Sequence, residues 1–131
     1  MTVRRPLAWL AAFACIAVAA GCTTSPPSRF YTLSGPATPA RAVAEFAVAV
    51  GPVSIPAVVD RPEIVVTVGD NEVWPDEFNR WAGPLAEMIG LALVESLTVQ
   101  LRTPRVALLA RTALDAPDYR VVVDVQRFES V

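Results

Sequence analysis

The sequence predicts an α/β domain, in which strands are packed by one long amphipathic helix, preceded by a separate N-terminal segment. Three observations lead to this prediction. Residues 7–20 form a continuous apolar run behind a basic start. Several later runs alternate bulky with small or polar residues, the period of a strand. Residues 85–101 repeat apolar residues every three or four positions, the period of a helix. At 131 residues, the chain has room for one small domain.

The N-terminal segment has the pattern of a signal peptide. Residues 1–6 carry two arginines and no acidic residue, and the apolar run that follows is shorter than the roughly 20 residues of a membrane span. The stretch AAGC at residues 19–22 resembles the lipobox of bacterial lipoproteins, although Ala19 stands where leucine is usual. This resemblance implies a signal peptide of residues 1–21, cleaved before Cys22, and acylation of the Cys22 thiol.

The cysteine count agrees with lipid attachment. Cys15 would leave with the signal peptide, so Cys22 would be the only cysteine of the mature chain, without a disulfide partner. Two or more acyl chains give stable membrane anchoring, whereas one gives only marginal binding. Residues 22–28 contain two prolines and are predicted to form an extended, lipidated tether. Thr23 follows the cysteine where aspartate often signals inner-membrane retention, which implies the outer membrane.

The strands of the domain, residues 29–131, are predicted from alternation and turn residues. Gly69-Asp70-Asn71 is predicted to close a hairpin, and residues 63–68 to be buried on both faces. In residues 46–51, bulky and small side chains alternate, and the small face is predicted to be covered. Pro52 is predicted to help exclude a long central strand over residues 53–55. The predicted strands are 29–33 at an edge, 46–51, 63–68, a return strand from Glu72, 106–110 and 118–128.

The helix is the strongest element of the sequence. Pro84 suits its first position, and Pro104 stops it. Burial of about six large side chains at roughly 1.5–3 kcal/mol each would make it the organiser of the core. Its apolar positions are Leu85, Met88, Ile89, Ala92, Leu93, Leu97 and Leu101, and its polar side carries Glu87, Glu95, Thr98 and Arg102.

The strand at 118–128 has no later segment to pair with, which predicts a chain that is incomplete at its C-terminus.

Charge and composition argue against several classes of function. Residues 22–131 carry nine arginines and thirteen acidic residues, a net charge of −4, which disfavours binding to nucleic acid or to anionic lipid by charge. The whole chain has no histidine and no lysine, which excludes Ser-His-Asp triads and Schiff bases. Acidic residues between Asp60 and Glu77 offer carboxylates, but turn positions explain them better. The sequence therefore predicts no enzyme, no cofactor and no metal site.

Two runs of the domain resemble the PqiC-type auxiliary lipoproteins of ABC-type, MCE-linked transport systems. The first is GPV-x-IP-x₃-DRP, at residues 51–62, and the second is RWA-x-PL, at residues 80–85. RFYTL at residues 29–33 and QRFES at residues 126–130 agree with the same family. Gly83 stands where the family often has an acidic residue. The resemblance covers essentially all of the chain after the tether.

The resemblance implies a fold and a function. The fold is an α/β layer structure with a mixed sheet packed by the amphipathic helix, similar to the N-terminal domain of TolB. The function is that of a periplasmic accessory lipoprotein, anchored to the outer membrane, that docks to an MCE-domain partner moving lipid between membranes. An alternative of another class is a lipoprotein that binds cell-envelope assembly machinery or a small apolar ligand without a transporter.

Two residues are candidates for the partner surface, and each has a structural alternative. Arg61 is either paired with Asp60 to fix a turn or free to reach a partner carboxylate. Trp74, beside a proline and acidic residues, is a better surface candidate than Trp81, which is predicted to pack inside at the start of the helix. Cys22 remains the one residue with an assigned chemistry.

Overall fold

The computed structural model describes residues 25–35, 38–39, 43–111 and 116–128. The predicted signal peptide, Cys22 and Thr23 lie outside these residues. The elements in chain order are β1 (Arg29–Tyr31), β2 (Val48–Ser54), β3 (Glu63–Gly69), β4 (Glu72–Trp81), α1 (Leu85–Leu101), β5 (Val106–Leu108), a 3₁₀ turn (Leu109–Arg111) and β6 (Tyr119–Asp124).

The first sheet has the order β1-β4-β3 and contains the predicted hairpin. Strands β3 and β4 are antiparallel across the turn at Asp70-Asn71, and the short edge strand β1 is parallel to β4. The first sheet is therefore mixed. Strand β4 continues through Pro75 to Trp81. Glu63 of β3 is paired with Arg80 and the next residue, Ile64, with Asp76, so β4 contains extra residues between these two pairs, as in a β-bulge.

The second sheet has the order β5-β2-β6, and its strands are parallel. The described residues thus form two small sheets, and the prediction of one mixed sheet is wrong in this respect. The central strand β2 has Ala47 and Ala49 buried beside Val48 and Val50, which confirms that its small face is covered. Asp118 Oδ2 accepts a hydrogen bond of 2.6 Å from the backbone N–H of Ala47 and fixes the entry into β6.

Strand β2 corrects the prediction that prolines end the strand at Gly51. It continues to Ser54 as the central strand of its sheet. Its pairing with β6 shifts between Val50 and Val53, so Pro52, which has no N–H to donate, lies in the irregular part of the ladder. Gly51 has a φ of +120°, and the Gly51–Pro52 peptide bond is cis.

Burial along β3 and α1 is also less complete than the sequence predicts. In β3, only Val65 is buried, so the strand is not covered on both faces. In α1, Leu85 and Gly90 are buried, whereas the other apolar positions remain partly exposed. The helix begins at Leu85, one residue after its predicted start, and Arg102 ends it in the left-handed conformation.

The core consists of two clusters, one against each sheet. In the first, α1 packs Leu93, Leu97 and neighbouring residues on the buried Val48 and Val50 of β2. In the second, the start of α1 places Leu85 against Val59 and Val65, together with the partly buried Trp81 and Ile89. Helix α1 therefore contributes to both clusters, and its N-terminal end lies where the second cluster meets the surface.

Candidate functional site

The two family-like runs, residues 51–62 and 80–85, meet at the N-terminal end of α1. The turn before β3 and the segment that links β4 to α1 line a concavity of about 370 Å³, which we call the motif cleft (Asp60–Pro62 and Trp81–Leu85). The backbone N–H of Trp81 donates to the carbonyl of Pro62 over 2.8 Å, and the N–H of Arg61 donates to the carbonyl of Val59 over 2.9 Å. The Trp81–Pro62 bond connects two stretches that lie about twenty residues apart in the chain, and the Arg61–Val59 bond is local to the turn before β3.

The floor of the motif cleft belongs to the hydrophobic core. Leu85 is 2% exposed and contacts the buried Val59 and Val65. Trp81 packs edge-on against Phe128, with ring centroids 5.9 Å apart. Because the side chains below the cleft are buried while Asp60 and Arg61 are exposed, the cleft presents polar groups on a rigid apolar base.

A second concavity, the apolar groove (Val50–Val53, Ala86, Glu87 and Leu108–Arg111), lies on another side of the start of α1. Its volume is about 500 Å³. Its lining is apolar except at the rim, where the Arg111 guanidinium is ion-paired with the Glu87 carboxylate. No single sequence pattern indicates this groove, because its walls come from β2, α1 and the residues at and after the end of β5.

A third concavity, the aromatic groove, lies on the first sheet and has a volume of about 580 Å³. Trp74 in its wall is 63% exposed. Across β3 and β4, Arg80 Nη2 lies 2.9 Å from Glu63 Oε1, and Arg80 Nε is buried without a hydrogen-bond partner in the described part of the chain. The residues of the aromatic groove are Ser28, Glu63, Trp74, Pro75, Glu77, Phe78 and Arg80.

The two predicted partner-surface residues lie in different concavities. Arg61 is exposed in the motif cleft, and Trp74 is exposed in the aromatic groove. The ion pairs of the described residues include Arg80–Glu63 and Arg111–Glu87, and none joins Arg61 to Asp60, so whether Arg61 serves the turn or a partner stays a prediction. The third candidate, Cys22, lies outside the described residues.

The acidic residues around Asp76 serve the local backbone. Asp76 Oδ1 accepts hydrogen bonds from the N–H groups of Phe78 and Asn79, and Asn79 Nδ2 donates to Asp76 Oδ2 over 2.7 Å. The bond from the Asn79 side chain, with the two backbone bonds, holds the pKa of Asp76 below the ordinary value of 3.8. In the described stretches, no group of three or more cysteine or acidic residues is arranged to hold a metal ion.

This arrangement predicts a pH-dependent effect of Asp76→Asn on stability. A carboxyl whose folded-state pKa is lowered stabilises the fold above its unfolded-state pKa, and the benefit disappears as pH falls through the folded-state value. We expect Asp76→Asn to be less stable than wild type at about pH 7, and the difference to shrink below about pH 4. Urea unfolding at several pH values measures it.

Asp70→Asn, in the exposed turn of the same hairpin, is the matched control. Its stability difference from wild type should be smaller at about pH 7. Equal losses in Asp70→Asn and Asp76→Asn at that pH would contradict a specific role for the Asp76 hydrogen bonds.

The residues that the structure describes contain no helix long and apolar enough to cross a membrane.

Comparison with known proteins gives a family match. The family model described as "ABC-type transport auxiliary lipoprotein component" matches residues 31–131. No curated protein matches the chain.

Two crystal structures have a similar fold. One is protein XCC0632 from Xanthomonas campestris, of the family DUF330, with a TM-score of 0.65 and 24% sequence identity, covering 79% of this chain and 57% of that chain. The other is an uncharacterized protein with a TM-score of 0.56 and 21% identity, covering 76% of this chain and 59% of that chain. This chain therefore spans less than two thirds of each of these proteins. At these identities, the likeness establishes the fold.

Proposed function

The chain belongs to the PqiC-type family of ABC-type transport auxiliary lipoprotein components, and from this membership we propose that it is a periplasmic accessory subunit of an intermembrane lipid-transport system. In this proposal, acyl chains on Cys22 anchor it to the outer membrane, and its domain docks to an MCE-domain membrane protein of the same system. The observation that carries the docking role is the motif cleft, where two distant family-like runs form one surface feature.

The polar rim of the motif cleft suits protein recognition. The Arg61 side chain is exposed and takes no part in the ion pairs of the described residues. Arginine presents five N–H donors in a planar fork that matches a carboxylate, and it is enriched in interface hot spots. Because Leu85 and Val59 below it are already buried, a partner would bind the cleft without rearranging the core.

Trp74 supplies a second contact region for the same partner. Trp74 is 63% exposed in the wall of the aromatic groove. Tryptophan contributes a large contact area at low cost in side-chain entropy, which makes it a frequent anchor in interfaces. Arg61 and Trp74 lie on segments at opposite ends of the β3–β4 hairpin, so an MCE-domain partner that contacts both would span the hairpin.

The proposed anchor would hold these surfaces close to the membrane. Strand β1 begins at Arg29, seven residues after Cys22. A fully extended chain spans at most about 3.3–3.6 Å per residue, so β1 would lie within roughly 25 Å of the acylated cysteine. At that distance, the domain remains in the periplasm beside its membrane and in reach of a partner that crosses the periplasm.

Pull-down from solubilised membranes tests the proposal. We expect the wild-type chain to carry acyl mass, to fractionate with the outer membrane and to bring down an MCE-domain protein. Cys22→Ala should abolish the acyl mass and release the chain from the membrane. Arg61→Glu should lower recovery of the partner about tenfold or more, as expected for loss of about 1.4 kcal/mol of binding. Intact mass, fractionation and quantitative blotting measure these results.

Arg120→Glu is the matched control, because Arg120 is an exposed arginine on β6, far in sequence from the motif cleft. It introduces the same charge change and should leave the recovery unchanged. An acylated chain that brings down no MCE-domain protein would contradict the transport role and favour the alternative, a lipoprotein bound to envelope assembly machinery or to an apolar ligand. An unacylated wild-type chain would contradict the anchor.

A further inference from the structure

The apolar groove has the size of a ligand pocket. Its volume of about 500 Å³ lies within the range of about 300–1,000 Å³ that is typical of small-molecule sites. It is a concavity open to solvent beside the main helix, so a ligand could enter it without unfolding the core.

The residues of the groove keep it open and apolar. Small residues at Gly51, Ala86 and Ala110 leave space where larger side chains would fill it, and Val53 and Leu108 supply apolar walls. The groove starts at Val50 and Leu108, the last pair of the parallel ladder between β2 and β5, and extends past the carboxyl end of that ladder. In open α/β sheets, ligands bind in crevices at this end of the strands.

The rim of the groove carries a basic group that can change partner. The Arg111 side chain is 64% exposed, and that of Glu87, its ion-pair partner, is 38% exposed. An exposed pair of this kind contributes little to stability, so Arg111 can turn to a bound anion at small cost. The first turn of α1 lies at the same rim and carries the Glu87 carboxylate, so Arg111 is the group that would attract an anion there.

We propose that the apolar groove binds the acyl chain of a single-chain amphiphile with an anionic head group, such as a long-chain carboxylate. The chain lies along the apolar walls, and the head group meets Arg111 at the rim. At roughly 30 Å³ for each water-sized group, the groove holds about sixteen groups, which fits the methylenes of one long chain and not of two. This site is separate from the motif cleft, and it does not depend on the docking proposal.

Photolabelling of the full chain in phosphatidylcholine nanodiscs tests the proposal. The probe is palmitic acid with a diazirine in the acyl chain, and peptide mass spectrometry locates the labelled residues. We expect the strongest labelling in residues 50–53 and 108–111. Ala86→Phe fills the groove and should lower this labelling about fivefold or more, whereas Leu91→Phe, at an exposed position of the same helix, should not.

A second variant keeps the test independent of folding. If the circular dichroism spectrum of Ala86→Phe differs from that of wild type, Ala110→Phe takes its place, because Ala110 is exposed in the 3₁₀ turn. Its substitution narrows the groove from the outside. Labelling that is spread equally over exposed apolar positions such as Val122, and that the groove variants leave unchanged, overturns the proposal.

Two further probes test the head group and the number of chains. Wild type should be labelled about fivefold more strongly by the acid than by the matching diazirine hexadecylamine, and Arg111→Gln should remove this preference while Arg120→Gln keeps it. Equal labelling of wild type by acid and amine overturns the anionic head group. Groove labelling by a diazirine phosphatidylcholine as strong as that by the acid overturns the single-chain ligand.

Discussion

Leu85→Ala is expected to lower the free energy of unfolding by about 2–5 kcal/mol, the range for truncating a fully buried leucine. Leu85 is 2% exposed and packs against Val59 and Val65, so its removal leaves a cavity in the second core cluster. The loss is large for a small domain, because the total stability of a domain is only about 5–15 kcal/mol. Urea unfolding followed by tryptophan fluorescence measures it.

Leu91→Ala is the matched control for this prediction. Leu91 lies six residues later in α1 and is 42% exposed, so the same truncation removes less buried area and leaves no enclosed cavity. We expect a loss below about 1 kcal/mol. Similar losses for the two variants would mean that the start of α1 is not packed into the core. They would contradict the assignment of a rigid, buried floor to the motif cleft.

The helix and the hairpin were predictable because their signals are local. The repeat of apolar residues from Leu85 to Leu101 and the turn at Gly69-Asp70-Asn71 each lie within one element. Burial was harder to predict, because it depends on what packs over each face. Strand β3 has a nearly continuous apolar sequence, yet only Val65 is buried, since the described residues cover it incompletely.

The prediction that Pro52 ends strand β2 is wrong because of the way the neighbouring strand β6 pairs with β2. Pro52 removes one N–H from the ladder, and on that ground the strand was predicted to end before it. The neighbouring strand β6 instead shifts its register between Val50 and Val53 and resumes pairing at Val123 and Asp124. The alternation in β6 indicates a strand, but it does not indicate which strand it pairs with or where the register shifts.

The candidate sites also differ in how far the sequence predicts them. The residues of the motif cleft were identified by resemblance, but their contact depends on the hydrogen bond between Trp81 and Pro62, which no sequence pattern indicates. The apolar groove was missed because three separate elements form it. One signal for it is present in the chain: Gly90 is buried where a Cβ atom would lie 2.8 Å from Leu108 Cδ2, which brings α1 close to β5 beside the groove.

Gly51→Ala is the second variant with a large expected effect. Gly51 has a φ of +120°, a conformation that residues with a side chain rarely adopt, and holding alanine there costs on the order of 1–3 kcal/mol. Space is not the reason for the loss, because the nearest atom to an added Cβ is Leu109 Cβ at 3.7 Å, an ordinary contact. We therefore expect the free energy of unfolding to fall by this amount.

Gly69→Ala separates the backbone cause from the general effect of adding a methyl group. Gly69 also lies in a strand, its backbone does not adopt the left-handed conformation, and an added Cβ would lie 3.8 Å from Glu72 Cβ. Because alanine reduces the freedom of the unfolded chain, this variant should be neutral or more stable by up to about 1 kcal/mol. If Gly51→Ala were as stable as Gly69→Ala, residue 51 would not be held at positive φ. If Gly51→Ala alone loses stability, residue 51 must be glycine because its backbone has a positive φ. Gly51 is the first residue of the family-like run at residues 51–62, and its backbone forms part of the wall of the apolar groove.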